Sequence, residues 1–323
     1  MQRRDFSALA GLLAVAPLTR AQSNWPARPI TWVVPFPPGG ITDTSARALA
    51  RRLGELLGQQ VLIDNRPGAG GSLGTEQVAR APADGYTWLY GTQGTMAANL
   101  ALYKNLKYDP LKDFTHVHGM FLSPTILVVE SQRPWKTVAD LVRDAKARPG
   151  QMNFGSAGAG TATHLTGELF QTESGTKLTH VPYKGTAPAL QDMLGGRLDL
   201  MFDYVTPLLP HIQSGKLRPL AVMHTERLDL MPDLPTIGQA GYPQAVSAAW
   251  SSIVVPAGTP PDAVKRIGDA VATVMREKDV IGPFVTAGSK TMPDLRDKAL
   301  TEFIAAEQVK WAEVVRRSGA TPG

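Results

Sequence analysis

The fold is decided by the segment Val33–Asp43, which reads VVPFPPGGITD. The apolar run Ile30–Val34 predicts a buried strand that ends at a Pro/Gly turn. A glycine-rich turn between a strand and a helix leaves N–H groups bare at the positive end of the helix dipole, which favours an anion. A tight turn without any ligand is the alternative. The helix after the turn is predicted by apolar residues at helical spacing, namely Ala46, Leu49, Ala50, Leu53, Leu56 and Leu57.

The first 21 residues predict a cleaved export signal. Arg3 and Arg4 precede an apolar segment, Ala8–Leu18, that is too short to span a bilayer, and small residues allow cleavage after Ala21. The Arg-Arg-Asp-Phe start is typical of a twin-arginine signal, with the general secretory route as the other option, and either route predicts a periplasmic protein. A buried N-terminal helix is the alternative. No later segment has the roughly 18 uninterrupted apolar residues that a membrane helix needs.

The composition is typical of a folded, exported, water-soluble protein. With 323 residues, the chain is long enough for two domains with substantial cores. It has no cysteine, so the fold needs no disulfide and the chain lacks a thiol nucleophile and a cysteine lipid anchor. The net charge of +5 is small and the Lys and Arg residues are scattered, which argues against nucleic acid as a partner.

Apolar strand patterns alternate with helical patterns along the chain, which predicts an α/β fold with mainly parallel sheets. Three Gly/Ser/Thr-rich loops each follow a predicted strand: Phe36–Asp43, Gly91–Thr95 and Gly155–Thr161. Because ligands bind beyond the carboxyl ends of parallel strands, we expect these loops to converge on a site. Hydroxyl groups there either donate to a carboxylate or cap helices. They belong to Thr42, Thr92, Thr95, Ser156 and Thr161.

The first loop resembles the signature of the Bug family, the extracytoplasmic solute receptors of tripartite tricarboxylate transporters. One departure is Pro38, where alanine is common in the family; a proline stiffens the loop and removes one N–H from the anion site. Further segments that resemble the family follow in order along the mature chain. They are residues 65–71 (NRPGAGG), 84–87 (DGYT), 108–110 (YDP), 180–185 (HVPYKG) and 256–260 (PAGTP).

The resemblance implies a two-lobed periplasmic-binding-protein-like fold of type II, with a hinge of crossing strands. One lobe would comprise residues 25–125 and 253–323, and the other residues 126–252. The lobes would close on a carboxylate that is held between the first and third loops, partly through ordered water. The candidate ligand-binding residues, with two from the second loop, are Phe36, Gly39, Gly40, Thr42, Asp43, Thr92, Gln93, Ser156, Ala157, Gly158, Thr161, His164, Tyr183 and Asp203.

Several of these side chains have a structural alternative. Asp43 cannot attract an anion directly, so we expect it to accept loop N–H groups, to hold water or to cap the helix. Asp203 follows a strand and either meets an ammonium or hydroxyl group of the solute or caps the next helix. His164 either faces the cleft or packs within the second lobe, and Tyr183 is expected to orient a loop. Trp250 either lines the cleft or belongs to the core.

Enzyme motifs are not found. The loop around Ser156 lacks the Gly-x-Ser-x-Gly spacing of a nucleophile elbow, and no motif places a His/Asp pair. His116 and His118 lack a third ligand at metal spacing. Gly68–Gly74 has the wrong spacing for a dinucleotide-binding loop. We therefore expect no catalytic residue, no cofactor and no metal site.

The sequence thus predicts a monomeric periplasmic receptor that binds a small carboxylate solute and delivers it to the membrane components of a tripartite transporter. A sensor that reports its bound ligand to a membrane kinase is the first alternative. A secreted hydrolase that acts through Ser156 is the second. The sequence does not predict which acid is bound, because the far end of the solute meets variable side chains.

Overall fold

The computed structural model describes residues 25–322, so the predicted signal of residues 1–21 lies outside the described residues. The strands are β1 (Ile30–Val34), β2 (Val61–Asn65), β3 (Thr87–Thr92), β4 (Phe114–Glu130), β5 (Asn153–Ser156), β6 (Thr179–Pro182), β7 (Leu200–Tyr204), β8 (Leu217–Val222), β9 (Ala248–Pro256) and β10 (Lys290–Thr291). The helices are α1 (Ile41–Leu57), α2 (Ser72–Ala79), α3 (Asn99–Leu102), α4 (Val138–Ala147), α5 (Ala162–Ser174), α6 (Thr186–Leu194), α7 (Val205–Gln213), α8 (Pro261–Val274), α9 (Lys278–Thr286) and α10 (Asp297–Ser318).

The first strand–turn–helix unit has the predicted form. β1 is almost wholly buried, and α1 begins directly after Gly40. The predicted apolar stripe of α1 faces the core, except that Leu56 is exposed. The helix ends at Gly58, whose φ of 74° lies in the left-handed region that glycine adopts without strain.

The sheet is mixed, with the strand order β2-β1-β3-β9-β4-β7-β5-β6, and β8 and β10 pair with β4 outside this path. β1 pairs in parallel with β2 and β3, and β5 pairs in parallel with β6 and β7. Every pair that involves β4 or β9 is antiparallel. The predicted parallel βαβ units therefore form the two outer parts of the sheet, and the antiparallel centre was not anticipated.

β4 is a 17-residue strand that belongs to both parts. Its segment 114–124 pairs with β9, and its segment 125–130 pairs with β7 and β8. We call β1, β2, β3, β9, β10 and segment 114–124 the first half-sheet, and β5, β6, β7, β8 and segment 125–130 the second half-sheet. Within β4, the sequence pattern alone predicts a strand only at Ile126–Val129, which is apolar and largely β-branched, because His and Gly residues interrupt the pattern before it.

The change of pairing along β4 falls between Pro124 and Thr125, next to the first predicted lobe boundary. The second predicted boundary follows Ser252, whereas β9 stays in the first half-sheet back to Ala248. The N–H group of Ser247 already donates to a carbonyl of the second half-sheet region. The return connection therefore precedes the predicted position by several residues, and the division into moving lobes stays a prediction.

Each half-sheet has its own apolar core. In the first, Trp32 and Trp88 are fully buried and meet edge-to-face with ring centroids 6.0 Å apart. In the second, Phe154, Phe170 and Phe202 are fully buried and pack against one another. A third buried cluster combines both halves, with Leu89 of β3 and Leu165 of α5 among its members. The two cores therefore favour two bodies, joined by the crossing strands, that also pack against each other in this structure. Within residues 25–322, no helix has the length and apolar character to cross a membrane.

Candidate functional site

A cavity of about 110 Å³ lies where loops of the two half-sheets meet. Its wall includes parts of all three loops that were predicted to converge. The predicted site residues on the wall are Phe36, Gly40, Thr42, Thr92, Gln93, Ala157 and Thr161. Those that are not on the wall are Gly39, Asp43, Ser156, Gly158, His164, Tyr183 and Asp203. Wall residues that sequence reasoning did not single out include Ser45, Tyr90, Phe121, Ser123, Thr186, Tyr204, Ser251, Phe284 and Ser289.

The N-terminus of α1 presents unpaired donors at the cavity. Gly40 is the N-cap residue, and no side chain caps the helix. Within the described residues, the backbone N–H groups of Gly40, Ile41, Thr42 and Asp43 donate to no protein acceptor. Unpaired donors at the positive end of a 17-residue helix favour an anion.

The side chain of Asp43 orders this loop from its buried side. Its carboxylate accepts hydrogen bonds from Gly39 N–H, Arg47 Nε and Asn65 Nδ2, each at 3.0 Å. Burial acts to raise the pKa of Asp43, but these hydrogen bonds and the Arg47 charge outweigh it and hold the pKa below its usual value. Asp43 therefore stays ionised, and it occupies the Gly39 N–H that a solute would otherwise use.

The loop between β5 and α5 uses most of its own donors. Ala157 N–H donates to Thr163 Oγ1 at 2.9 Å, and Gly158 N–H donates to Ser156 Oγ at 3.1 Å. On the cavity wall, the N–H groups of Ala162 and Thr163 at the start of α5 donate to no acceptor among residues 25–322. The two helix N-termini therefore differ, because α1 contributes three unpaired N–H donors from wall residues and α5 contributes two.

Ser156 and His164 lie behind the wall, inside the second half-sheet region. Ser156 is fully buried, and its Oγ is 2.6 Å from His180 Nε2. The His180 ring stacks on His164 with centroids 3.9 Å apart. Burial, and then the neighbouring His164, lower the pKa of His180 to about 3, so the ring is neutral at ordinary pH. His164 is thus the packed helix histidine that was the alternative to a cleft-facing residue.

Tyr183 and Asp203 also lie off the wall. Tyr183 Oη donates to Asp192 at 2.7 Å. Asp203 is fully buried, and its Oδ1 accepts from Thr186 Oγ1 at 3.2 Å and from Tyr204 N–H at 2.7 Å. Within the described residues its Oδ2 has no hydrogen-bond partner. Burial raises the pKa of Asp203 to about 7, although both hydrogen bonds act to lower it.

Replacement of Asp203 by asparagine is expected to flatten the pH dependence of stability. Between pH 4 and 7 the folded protein keeps a proton that the unfolded chain releases, so the free energy of unfolding falls as the pH rises through this window. The shift of about three units corresponds to a loss of up to about 4 kcal/mol. Urea unfolding of the wild type and the variant at three pH values measures the pH dependence of the free energy of unfolding. The exposed Asp229→Asn serves as the control, and equal slopes for wild type and Asp203→Asn would contradict the shift.

The loop after β3 is held by its two threonines. Thr92 N–H donates to Thr95 Oγ1 at 3.0 Å, and Thr95 N–H donates to Thr92 Oγ1 at 3.3 Å. Gln93 lies between them, is fully buried and belongs to the cavity wall. The threonine hydroxyls thus fix the turn that carries Gln93.

The rest of the wall combines aromatic rings with hydroxyl groups and is nearly uncharged. It includes Phe36, Phe121, Trp250 and Phe284, so Trp250 both lines the cavity and is buried. Among the described wall residues there is no Asp or Glu, and Lys184 is the one Lys or Arg. A site with helix N-termini on one side and aromatic rings on another suits an anion with an uncharged body.

The sequence matches the model of the tripartite tricarboxylate transporter family receptor, TctC, over residues 45–320. The chain belongs to the TctC family. The resemblance to Bug receptors is thereby confirmed, and as a TctC member the protein is a solute-binding receptor and not an enzyme. The short Ser156–His180 distance is therefore a contact within the fold and not half of a hydrolase site.

Three solved structures of similar proteins confirm the fold expected of a TctC receptor. R. palustris Rpa4515 with adipate is 37% identical with a TM-score of 0.87, covering 93% of this chain and 100% of that chain. The periplasmic binding protein BugD is 33% identical with a TM-score of 0.87, covering 92% and 99%. MatC from Rhodopseudomonas palustris with bound malate is 33% identical with a TM-score of 0.85, covering 90% and 100%. Two of these three receptors thus hold a carboxylate.

Proposed function

We propose that the protein captures a small carboxylate solute in the periplasm and delivers it to the membrane components of a tripartite transporter. The observation that carries the proposal is the set of three unpaired N–H groups of Gly40, Ile41 and Thr42 at the cavity wall. A carboxylate that leaves water must regain several hydrogen bonds, and main-chain donors supply them without a buried cation. The adipate and malate held by two related receptors support the same solute class.

The solute carboxylate would lie between the N-termini of α1 and α5. The wall residues predicted from sequence would contact the solute directly or through ordered water, because a bridging water costs little. The predicted residues behind the wall would act through the loops instead. Asp43 would hold the first loop, and Ser156 and His164 would hold the third.

Binding and closure would be coupled, with each half-sheet and its helices acting as one lobe. The two bodies touch in this structure: Tyr103 Oη donates to Ala159 O at 3.3 Å, and Gly185 lies against Pro37. An anion that interacts fully only when both helix N-termini surround it favours the closed form by its differential affinity. Closure of this kind is an established motion for two-lobed receptors.

Calorimetric titration tests the solute class. The mature chain is titrated with a panel of aliphatic dicarboxylates, tricarboxylates, acidic amino acids and aromatic acids, and with the corresponding uncharged amides as matched controls. We expect at least one acid to bind and the corresponding amide not to bind, because the amide lacks the negative charge that a helix N-terminus favours. Absence of binding across the whole panel would contradict the proposal.

Export and delivery need separate tests. N-terminal sequencing of the protein from the periplasmic fraction is expected to give a chain that starts just after Ala21, and size-exclusion chromatography is expected to give a monomer.

Co-purification with the transporter membrane subunits should increase when the solute is present, because only the closed form presents the docking surface. Co-purification with a membrane kinase instead would favour the sensor alternative.

A further inference from the structure

Asp203 is a buried carboxyl group directly behind the cavity wall. The residue has 0% exposure, and both hydrogen-bond donors to its Oδ1 belong to wall residues. They are Thr186 Oγ1 at 3.2 Å and Tyr204 N–H at 2.7 Å. Within residues 25–322 its Oδ2 meets no donor. The ionised form therefore leaves charge on an oxygen without a partner, and a bound proton removes that charge.

The two other unpaired hydroxyl groups that are buried among the described residues do not serve Asp203. Thr125 is paired across the sheet with Tyr204, the neighbour of Asp203. Successive side chains of a strand point to opposite faces, so the Thr125 hydroxyl and the Asp203 carboxyl lie on opposite faces of the sheet. Ser252 Oγ lies in the first half-sheet, where a Cβ placed on Gly91 would be 2.7 Å from it.

No charged side chain of the described residues pairs with Asp203 either. β7 packs against β5, segment 125–130 of β4, and the helices α5, α6 and α7. The ionisable residues on these elements, on β7 itself and on the adjoining wall are Glu130, His164, Glu168, Glu173, Asp192, His211, Tyr204, Tyr90 and Lys184. None of them forms a hydrogen bond or an ion pair with the Asp203 carboxylate through its side chain. The charge of Asp203 is therefore governed by burial and by any charge that enters the cavity.

Asp203 also lies close to the expected position of the solute carboxylate. Its partner Thr186 begins α6, and the N–H group of Gly185, just before it, donates to Ala157 O in the third loop at 3.1 Å. Burial, and then the charge of Asp203, raise the pKa of the wall residue Tyr204. A negative charge at the wall and one on Asp203 thus disfavour each other. A solute carboxylate has the same effect, because salt screens buried charges only weakly.

We propose that the receptor takes up a proton on Asp203 when it binds an anionic solute. This inference rests on the proposed function, because the charge of the solute drives the uptake. The anion is repelled by ionised Asp203 and not by the protonated form, so the protonated receptor binds it more tightly. By linkage, the bound acid raises the proton affinity of Asp203 by the same factor. The effect requires no contact between Asp203 and the solute.

The sign of the pH dependence follows from this linkage. Burial raises the pKa of Asp203 in the free receptor to about 7, so both forms are present near neutral pH. Below this pH the receptor is protonated and its affinity for the anion is highest. The affinity falls as the pH rises through 7 and becomes constant once Asp203 is also ionised in the complex. Acid pH therefore favours capture, and alkaline pH favours release.

Calorimetry of the mature chain in two buffers measures the proton uptake. The probe is the acid with the lowest dissociation constant in the panel above, with succinate, adipate and malate among its dicarboxylates. Titrations at pH 7.5 in Tris and in triethanolamine, two cationic buffers with different heats of ionisation, give the number of protons taken up per acid. We expect roughly half a proton, because a rise of about one unit moves Asp203 from mostly ionised to mostly protonated at this pH.

The affinity for the same acid across pH is the second measurement. From pH 6.5 to 8.5 we expect the dissociation constant to rise by roughly five- to tenfold. Asp203→Asn keeps the shape of the protonated residue and has no charge to gain, so we expect no uptake and a flat pH profile, with tighter binding than the wild type at pH 8.5. A role in folding alone would instead lower the affinity at every pH. The exposed Asp229→Asn is the matched control and should keep the wild-type uptake.

The outcomes separate the two proposals. If acids bind without proton uptake and with a flat profile, the inference is overturned and the proposed function stands. If Asp203→Asn keeps the uptake, the assignment to Asp203 is overturned. If no acid of the panel binds, the proposed function fails and the inference fails with it.

Thr186→Val tests the assignment if Asp203→Asn does not fold. Loss of the Thr186 hydrogen bond disfavours ionised Asp203, so the midpoint of the pH profile should move to higher pH. An unchanged midpoint would overturn the assignment to Asp203.

Discussion

Gly40→Asp is expected to abolish carboxylate binding while it stabilises the folded protein. Gly40 is the N-cap of α1 with φ −80° and ψ 173°, and no heavy atom lies within 4 Å of a Cβ placed there. An aspartate fits this position and can accept from the unpaired N–H groups of the first turn, which stabilises a helix by roughly 0.3 kcal/mol relative to a glycine N-cap. The same carboxylate occupies the donors that the solute needs and repels it, so we expect a loss of affinity of at least about 100-fold.

Calorimetry and thermal unfolding of the ligand-free variant measure the two opposite effects. Gly40→Ala is the matched control, since the methyl group fits equally well but neither charges nor caps the helix. We expect it to keep most of the affinity. Wild-type affinity in Gly40→Asp would show that the carboxylate does not use the N-terminus of α1, and would remove the observation on which the proposed function rests.

The second large effect is expected for Gly94→Ala. Gly94 has no left-handed φ, so alanine causes no backbone strain, but its Cβ would lie 2.5 Å from Gly160 O across the contact between the half-sheets. A backbone oxygen cannot rotate away, so the bodies must separate before the methyl group fits. Such overpacking costs roughly 1–3 kcal/mol, which corresponds to a loss of solute affinity of about 5- to 150-fold.

If the proposed closure is correct, the clash arises only in the closed form, and the ligand-free variant should unfold at the wild-type temperature. Small-angle scattering should show a smaller compaction on addition of solute. Gly282→Ala is the control, because a Cβ at that helical position meets nothing within 4 Å. A variant that is destabilised without ligand but keeps its affinity would show that Gly94 matters for folding and not for closure.

The parts of the fold that were predictable from sequence are those encoded locally. Ile30–Val34 and the stripe of α1 fix the first unit through short-range periodicity, and the glycine-rich turn between them marks the proposed anion site. The first half of β4 was missed because its identity depends on pairing with β9, which lies more than a hundred residues later. The antiparallel centre of the sheet follows from that long-range pairing.

The distinction between locally encoded features and features that depend on long-range pairing also applies to the cavity. Loop residues such as Thr42 and Thr161 were predicted to line it, because strand ends place their loops together. Phe121 and Ser123 were missed, since they belong to the unrecognised part of β4. The position of His164 was left open for another reason. Spacing along a helix cannot tell whether a polar side chain faces a cleft or satisfies a loop N–H group, as His164 Nδ1 does for Gly160.

The use of main-chain donors at α1 has an evolutionary consequence. Every residue except proline carries the same N–H group, so substitutions of Ile41 or Thr42 by other uncharged residues largely preserve these hydrogen bonds to the acid. Specificity for a new solute is then determined by the side chains that surround the part of the solute beyond its carboxylate. After a gene duplication, one copy can therefore acquire a different solute through single substitutions, and each intermediate protein still binds an acid.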